Sequence, residues 1–390
     1  MSAFQKIILI FLVTAASIVA TFITPGMNEL KNLFLISSHS LSYVMTIYLM
    51  GYLLGQISFA IFSNRYGGIS SLRYGFILCS AGFILQYLSV KFPTYYIFLL
   101  GRFITAFGLS SGLVCGFAII KDNILPNEEK GYFSIIAIAF TGSIYFSIFI
   151  SGTLLKVVGL LFILKIQIFY TFLLLIFTFF VPNTKVFSYK KKQPIARYQF
   201  LNYKLISYAM ALSITTIIAY CYSFYAPLIM IDNFRLELQD YGNYNLINMC
   251  GLFLGSTIYS KINHVIEENT IIIFSLISIA LIGLLLVMRG IGNDLGFQQF
   301  IYSFFAINLF SGIIYPAATF KSLECGSCKT YSSATMNIIK IGMPSMALYL
   351  SLFISSNNFL NLSLIIVLYS SIYLISVIAI RKLNEVVFLK

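Results

Sequence analysis

Residues 95–119 read YYIFLLGRFITAFGLSSGLVCGFAI, a run whose one charged side chain is Arg102. A helix that crosses about 30 Å of hydrocarbon needs about 20 mostly apolar residues, and this run is long enough. It lacks the alternating polarity of a barrel strand. The run is therefore a membrane helix with a guanidinium inside it. An ionisable group at bilayer depth costs roughly 3 kcal/mol or more, so it marks a water-filled cavity or a partner.

Working outward, similar runs recur at 5–24, 41–63, 72–90, 132–156, 164–181, 205–230, 242–260, 270–289, 297–319, 332–353 and 360–380. Lys340 lies inside the eleventh span, whereas no carboxylate occupies the middle of any span. The ionic work of this chain falls to positive charge. Of 390 residues, 59% are hydrophobic and 9% charged, with a mean hydropathy of +0.92. A soluble domain carries roughly 25% charged residues, so composition and spans agree on an all-α integral membrane protein.

Residues 182–204 interrupt the pattern. They contain Lys185, Lys190, Lys191, Lys192, Arg197 and Lys204, no acid, and two prolines, Pro182 and Pro194. This reads as a basic cytosolic linker between two six-helix bundles, residues 1–181 and 205–390. Placing both termini in the cytosol leaves only Lys31, Lys91, Lys156, Arg235 and Arg289 in external loops, which satisfies the positive-inside bias. The formal charge of +13 is thus a topology signal rather than a nucleic-acid footprint. A lipid site on the linker is the weaker reading.

With no Trp, the interfacial belt falls to the 27 tyrosines. Of the six cysteines only Cys325 and Cys328 have metal-like spacing, and they lack a second ligand pair. The first span resembles a secretory signal in length, but the later spans favour a first membrane helix. No phosphate-binding Gly-x-x-x-x-Gly-Lys loop appears, and His39 and His264 fall near loops. The sequence offers neither a nucleophile with its base nor a cofactor site, so the expectation is not an enzyme.

Span 2 and the loop after it read Tyr48-Leu49-Met50-Gly51-Tyr52-Leu53-Leu54-Gly55-Gln56, then Ser63-Asn64-Arg65-Tyr66-Gly67. Together with Pro25, Gly101-Arg102, Gly108, Gly112, Lys121-Asp122, Val181-Pro182-Asn183-Thr184, Tyr225-Ala226-Pro227, Asn248, Gly255-Ser256 and Gly312 to Pro316, this resembles the major facilitator fold. The likeness is to the bicyclomycin-resistance (Bcr/CflA) branch of drug:proton antiporters. It implies a conformational motif at Gly55, Ser63, Asn64, Arg65 and Gly67, with small residues that let spans 2 and 11 approach and loop charges that latch the cytosolic side. It also implies a cavity-facing Arg102, and places Lys340 where the family has a glutamine. The departures are Asn64 in the loop's acidic position, Gly68-Ile69 for its arginines, Thr21 for the span-1 aspartate, Phe117 for a second span-4 arginine, and Thr141-Gly142-Ser143 in span 5, which lacks a Gly-Pro pair. Coupling cannot follow the span-1 route. Glu29, about 12 Å further along at 1.5 Å per residue, is a candidate acid or a solvated loop residue.

The candidate substrate-binding residues are Arg102, Lys340, Asn337, Asn308, Tyr315, Gln56, Tyr222 and Tyr225, with Asn248 as a further polar candidate. Asn337 and Ser333 share the helical face of Lys340, and Pro344 one turn on frees a main-chain carbonyl. Snorkelling is the alternative for both cations, and helix-to-helix hydrogen bonding for each polar residue alone. Lys165 fits an interfacial anchor. The expected function is a monomeric secondary transporter in the inner membrane that moves a small anionic or polycarboxylate solute, with no cofactor beyond the proton-motive force. Export of a metabolite, siderophore or drug is what the resemblance implies. An uptake permease, or a non-transporting sensor or assembly partner, is the alternative.

Overall fold

Bilayer tails cannot hydrogen-bond a peptide group, so each crossing segment must close its own backbone ladder as a helix. The computed structural model describes residues 2–123, 126–181, 202–232, 234–292, 296–325, 329–351, 353 and 357–388. Among these, twelve long helical segments match the twelve predicted spans: α1 (Ala3–Phe22), α3 (Ser38–Tyr66), α4 (Gly68–Lys91), α5 (Tyr95–Asn123), two arms of α6 (Pro126–Phe177), α7 (Tyr203–Asp232), α8 (Leu238–Ile262), α9 (Glu268–Gly292), α10 (Phe297–Glu324), α11 (Lys329–Ser351) and α12 (Asn358–Phe388). A short 3-10 turn, Thr24–Gly26, and the short helix α2 (Met27–Phe34) follow α1. Residues 182–201 of the basic linker, and Cys328, lie outside the described residues, as do the side chains of Asn64, Phe117 and Ser333.

Spans 5 and 6, expected to be joined by a loop at 157–163, run as one helix broken at Gly159 (φ 73°, ψ 171°). Only glycine enters that region cheaply. Among the described residues, nine helices are long and apolar enough to qualify as spans by composition; α6 counts once there, and α8 and α11 fall short. Both carry buried polar residues, Asn245 and Asn248 on α8, Asn337 and Lys340 on α11.

The chain forms two compact units, one of α1–α6 that takes in Leu236–Gly242, the other holding α7 and the remainder of the chain from Asn243. Within the first, α5 packs against α1, α3 and α4, and α1 against α6. Within the second, α7 packs against α10, α11 and α12, and α9 against α10 and α12. The outer helices expose apolar stripes, such as Phe274, Leu281, Leu285 and Met288 on α9, while Asn308, Gln86 and Arg102 are fully buried. That inversion of soluble-protein patterning is what a hydrocarbon solvent demands.

Glycines set the tightest seams. A Cβ on Gly51 would lie 2.6 Å from the Phe103 carbonyl oxygen, and one on Gly55 2.5 Å from that of Phe107. In the second half, Gly251 meets the Phe305 oxygen at 2.6 Å and Gly255 that of Leu309 at 2.0 Å by the same measure. The two halves thus build one seam twice, α3 on α5 and α8 on α10. The span-2 glycines thus permit a close approach to span 4 of their own half.

Candidate functional site

In the first half the centre is Arg102, whose side chain is wholly buried. Its Nη2 donates to the Ala20 oxygen (3.1 Å), Nη1 to that of Val19 (3.4 Å) and Nε to that of Val44 (3.3 Å). The guanidinium also stacks over the Tyr48 ring at 4.2 Å. The reason is local. Pro25 has no N–H, α1 stops at Phe22, and the last carbonyls of a helix have no intrahelical donor. A cation at a helix C-terminus satisfies both the orphan oxygens and the dipole. In this geometry the Arg102 fork is turned to main-chain oxygens of α1 and α3.

Thr21 hydrogen-bonds Ser147 on α6, and Ser17 pairs with Ser143 at 2.7 Å. Gln56 is buried on α3. Of the loop motif, Gly67 adopts φ 89° between α3 and α4 and donates its N–H to the Ser63 carbonyl, a conformation that favours glycine. Arg65 is exposed and lies over its neighbour Tyr66 at 5.5 Å. Glu29 is exposed on the first turn of α2.

In the second half Lys340 is 4% exposed, and its Nζ donates to Tyr315 Oη at 2.8 Å. Its main-chain oxygen accepts from Thr216 Oγ1 at 2.7 Å. Pro344 stands where an α-helix would supply that oxygen's donor, so the freed carbonyl anticipated from sequence is present and α7 satisfies it. Asn337 is buried on the same helix and Asn308 on α10, where its Nδ2 donates to the Phe304 oxygen at 2.8 Å. Tyr222 packs against Phe304, ring centroids 4.6 Å apart. Tyr225 instead pairs with Ser351, a link between α7 and α11. Lys340, Tyr315 and Thr216 thus form one cluster. Thr216 and Ser351 carry no signal in the local sequence.

Two bundles with polar groups buried inside and apolar stripes outside define a multi-pass helical membrane protein. A family model described as Major Facilitator Superfamily matches residues 7–326, and the chain belongs to that superfamily. It is a transporter rather than an enzyme. An uncharacterized transporter of Rickettsia bellii (strain RML369-C) is 24% identical over 290 residues, spanning 71% of this chain and 70% of that protein. Among solved structures, a D-xylose-proton symporter superposes with a TM-score of 0.76 at 12% identity, covering 95% of this chain and 97% of that one. The inward-open xylose transporter XylE from E. coli gives 0.74 at 12% identity, with 94% of each chain covered. A bacterial homolog of the human lysosomal transporter Spinster, in an inward-facing occupied form, gives 0.70 at 12% identity over 97% of each chain. At these identities the likeness is one of fold.

Proposed function

We propose that this chain is a monomeric secondary transporter of a small organic anion, driven by the proton-motive force and seated in the inner membrane with both termini cytosolic. The observation that carries the anion is Lys340, an ammonium 4% exposed in a chain with no carboxylate in any span. Its Nζ donates to Tyr315 Oη, and a solute carboxylate would add opposite charge beside that ammonium. Tyr315, Asn337 and Asn308 lend neutral hydrogen-bonding groups to the same half, which suits an anion that also bears hydroxyl or carbonyl groups. Arg102 keeps a supporting role, holding the end of α1.

The likeness to the bicyclomycin-resistance branch supports export, yet the parts that make that branch an antiporter are those this chain replaces, at Thr21, Asn64 and Gly68-Ile69. Uptake is the second reading.

The test is binding. Gluconate, succinate and citrate are added to the purified chain, and thermal unfolding is followed for wild type and Lys340→Met. At least one anion should raise the wild-type Tm and leave that of the variant unchanged. Equal shifts in both proteins, or none with any anion, refute the proposal.

A further inference from the structure

We infer that the seam between α4 and the second arm of α6, inside the first unit, is a water-binding site in which Gln86, Gln167 and Tyr170 share one or two enclosed water molecules.

Two contacts fix how these helices lie. Arg73 Nε on α4 donates to Thr178 Oγ1, just past the end of α6, at 3.4 Å, and Lys165 Nζ on α6 stands over the Tyr87 ring of α4 at 5.9 Å. Residue numbers rise along one helix as they fall along the other, so the two run antiparallel, with the stretch from Arg73 to Tyr87 alongside that from Thr178 back to Lys165. In this register Gln86 and Gln167 come level to within about 5 Å, at 1.5 Å of rise per residue. Tyr170, one turn on from Gln167, lies on the same face of α6. Leu164, Gln167, Thr171 and Leu174 form the buried stripe of this arm, so that face meets protein and not lipid tails.

Four polar atoms of the three side chains are enclosed here and answered by no protein group among the described residues. They are both amide atoms of Gln167, Gln86 Oε1 and Tyr170 Oη. Gln167 is 2% exposed and Gln86 wholly buried. Gln86 Nε2 donates to Thr105 Oγ1 on α5 at 2.8 Å. Turning that amide over does not help, because one of its two polar atoms then meets Thr105 and the other is again left over. Enclosing an amide without a hydrogen bond is costly, and folded proteins meet the cost with ordered water where several such atoms gather.

The groups match water in kind. Gln86 Oε1 and Gln167 Oε1 accept, Gln167 Nε2 and Tyr170 Oη donate, and water brings two protons and two lone pairs. All three side chains are neutral, which selects against an ion: a charged guest would give up its hydration here without gaining a counter-charge. Lys165, the nearest cation along the arm, is exposed at the rim of the seam. Enclosed water thus ties α6 to α4 and, through Gln86 and Thr105, to α5, the helix that carries Arg102.

The test is a density map of the purified full chain at a resolution that shows ordered water elsewhere in the first unit. A peak is expected within hydrogen-bonding distance of Gln167 and of Gln86 or Tyr170. Thermal unfolding of Gln167→Leu gives an independent reading. In a wet seam the leucine strands the water's remaining partners, and Tm should fall by several degrees. In a dry seam the leucine removes a buried amide that nothing answers, and Tm should rise. A map with no peak at this place, a map in which the three side chains bond one another directly, or a variant Tm equal to or above that of wild type overturns the inference. The wild-type map decides the matter even if Gln167→Leu does not fold.

Discussion

Thr21 Oγ1 and Ser147 Oγ lie 2.6 Å apart across the seam of α1 and α6, and the same threonine reaches the Ile144 oxygen at 3.3 Å. The clasp is made of two neutral hydroxyls. Thr21→Val should cost about 1 kcal/mol of stability, the net worth of a buried hydrogen bond. The pH dependence of transport should stay as in wild type. A shifted pH profile in this variant would reinstate the first span as part of the coupling route.

Arg102→Ala should destabilise the first half by about 2 kcal/mol or more, since the Val19 and Ala20 oxygens at the end of α1 lose their donor at roughly 1–3 kcal/mol each. Arg102→Lys should fall between, because one ammonium lacks the fork that reaches two helices. Thermal unfolding in detergent measures both. An alanine variant as stable as wild type would mean that water satisfies those carbonyls equally well.

Thr216→Val should cost about 1–3 kcal/mol by stranding the Lys340 oxygen. Pro344→Ala restores the N–H that an α-helix offers that oxygen, so in its background the threonine should matter less. A double-mutant cycle reads the coupling directly. Additive effects would show that Thr216 is not the donor replacing the missing N–H.

Gly255→Ala should be damaging by about 1–3 kcal/mol through overpacking, because its Cβ would sit 2.0 Å from the Leu309 oxygen. Gly159→Ala meets no atom within 4 Å, and there the cost is backbone strain alone, again about 1–3 kcal/mol. The two separate on rescue: trimming a neighbour of Gly255 should recover stability there, and no neighbouring change should help at Gly159.

Glu237, between α7 and α8, pairs with Lys156, which holds the carboxyl below its ordinary value. A carboxyl lowered on folding stabilises above its unfolded value, and the contribution fades as pH falls through the lowered one. Glu237→Gln should therefore leave unfolding unchanged in strong acid and lower stability slightly near neutrality. Since both side chains are half-exposed or more, the neutral-pH effect should shrink with added salt.

The sequence carried the number of spans, the two bundles and the depth of both cations, because length, hydropathy and charge are properties of one helix at a time. It also carried the freed carbonyl at Lys340, since Pro344 acts four residues back along its own helix. It did not disclose that Thr216 answers that carbonyl or that Val19 and Ala20 accept from Arg102. Those facts depend on which helix lies alongside, and apolar patterning between membrane helices says little about neighbours. The join at Gly159 was missed for a different reason: a loop and a single-residue break differ only in backbone angle.

The repeated glycine seams bear on how such a chain could be divided. Gly51 and Gly55 close against Phe103 and Phe107, Gly251 and Gly255 against Phe305 and Leu309, each pair within its own half. A gene cut inside the 182–204 linker would encode two polypeptides, each retaining its own α3–α5 or α8–α10 seam. Co-production of the two from separate messages is therefore a practical route to labelling one half isotopically while the other stays silent in a spectrum.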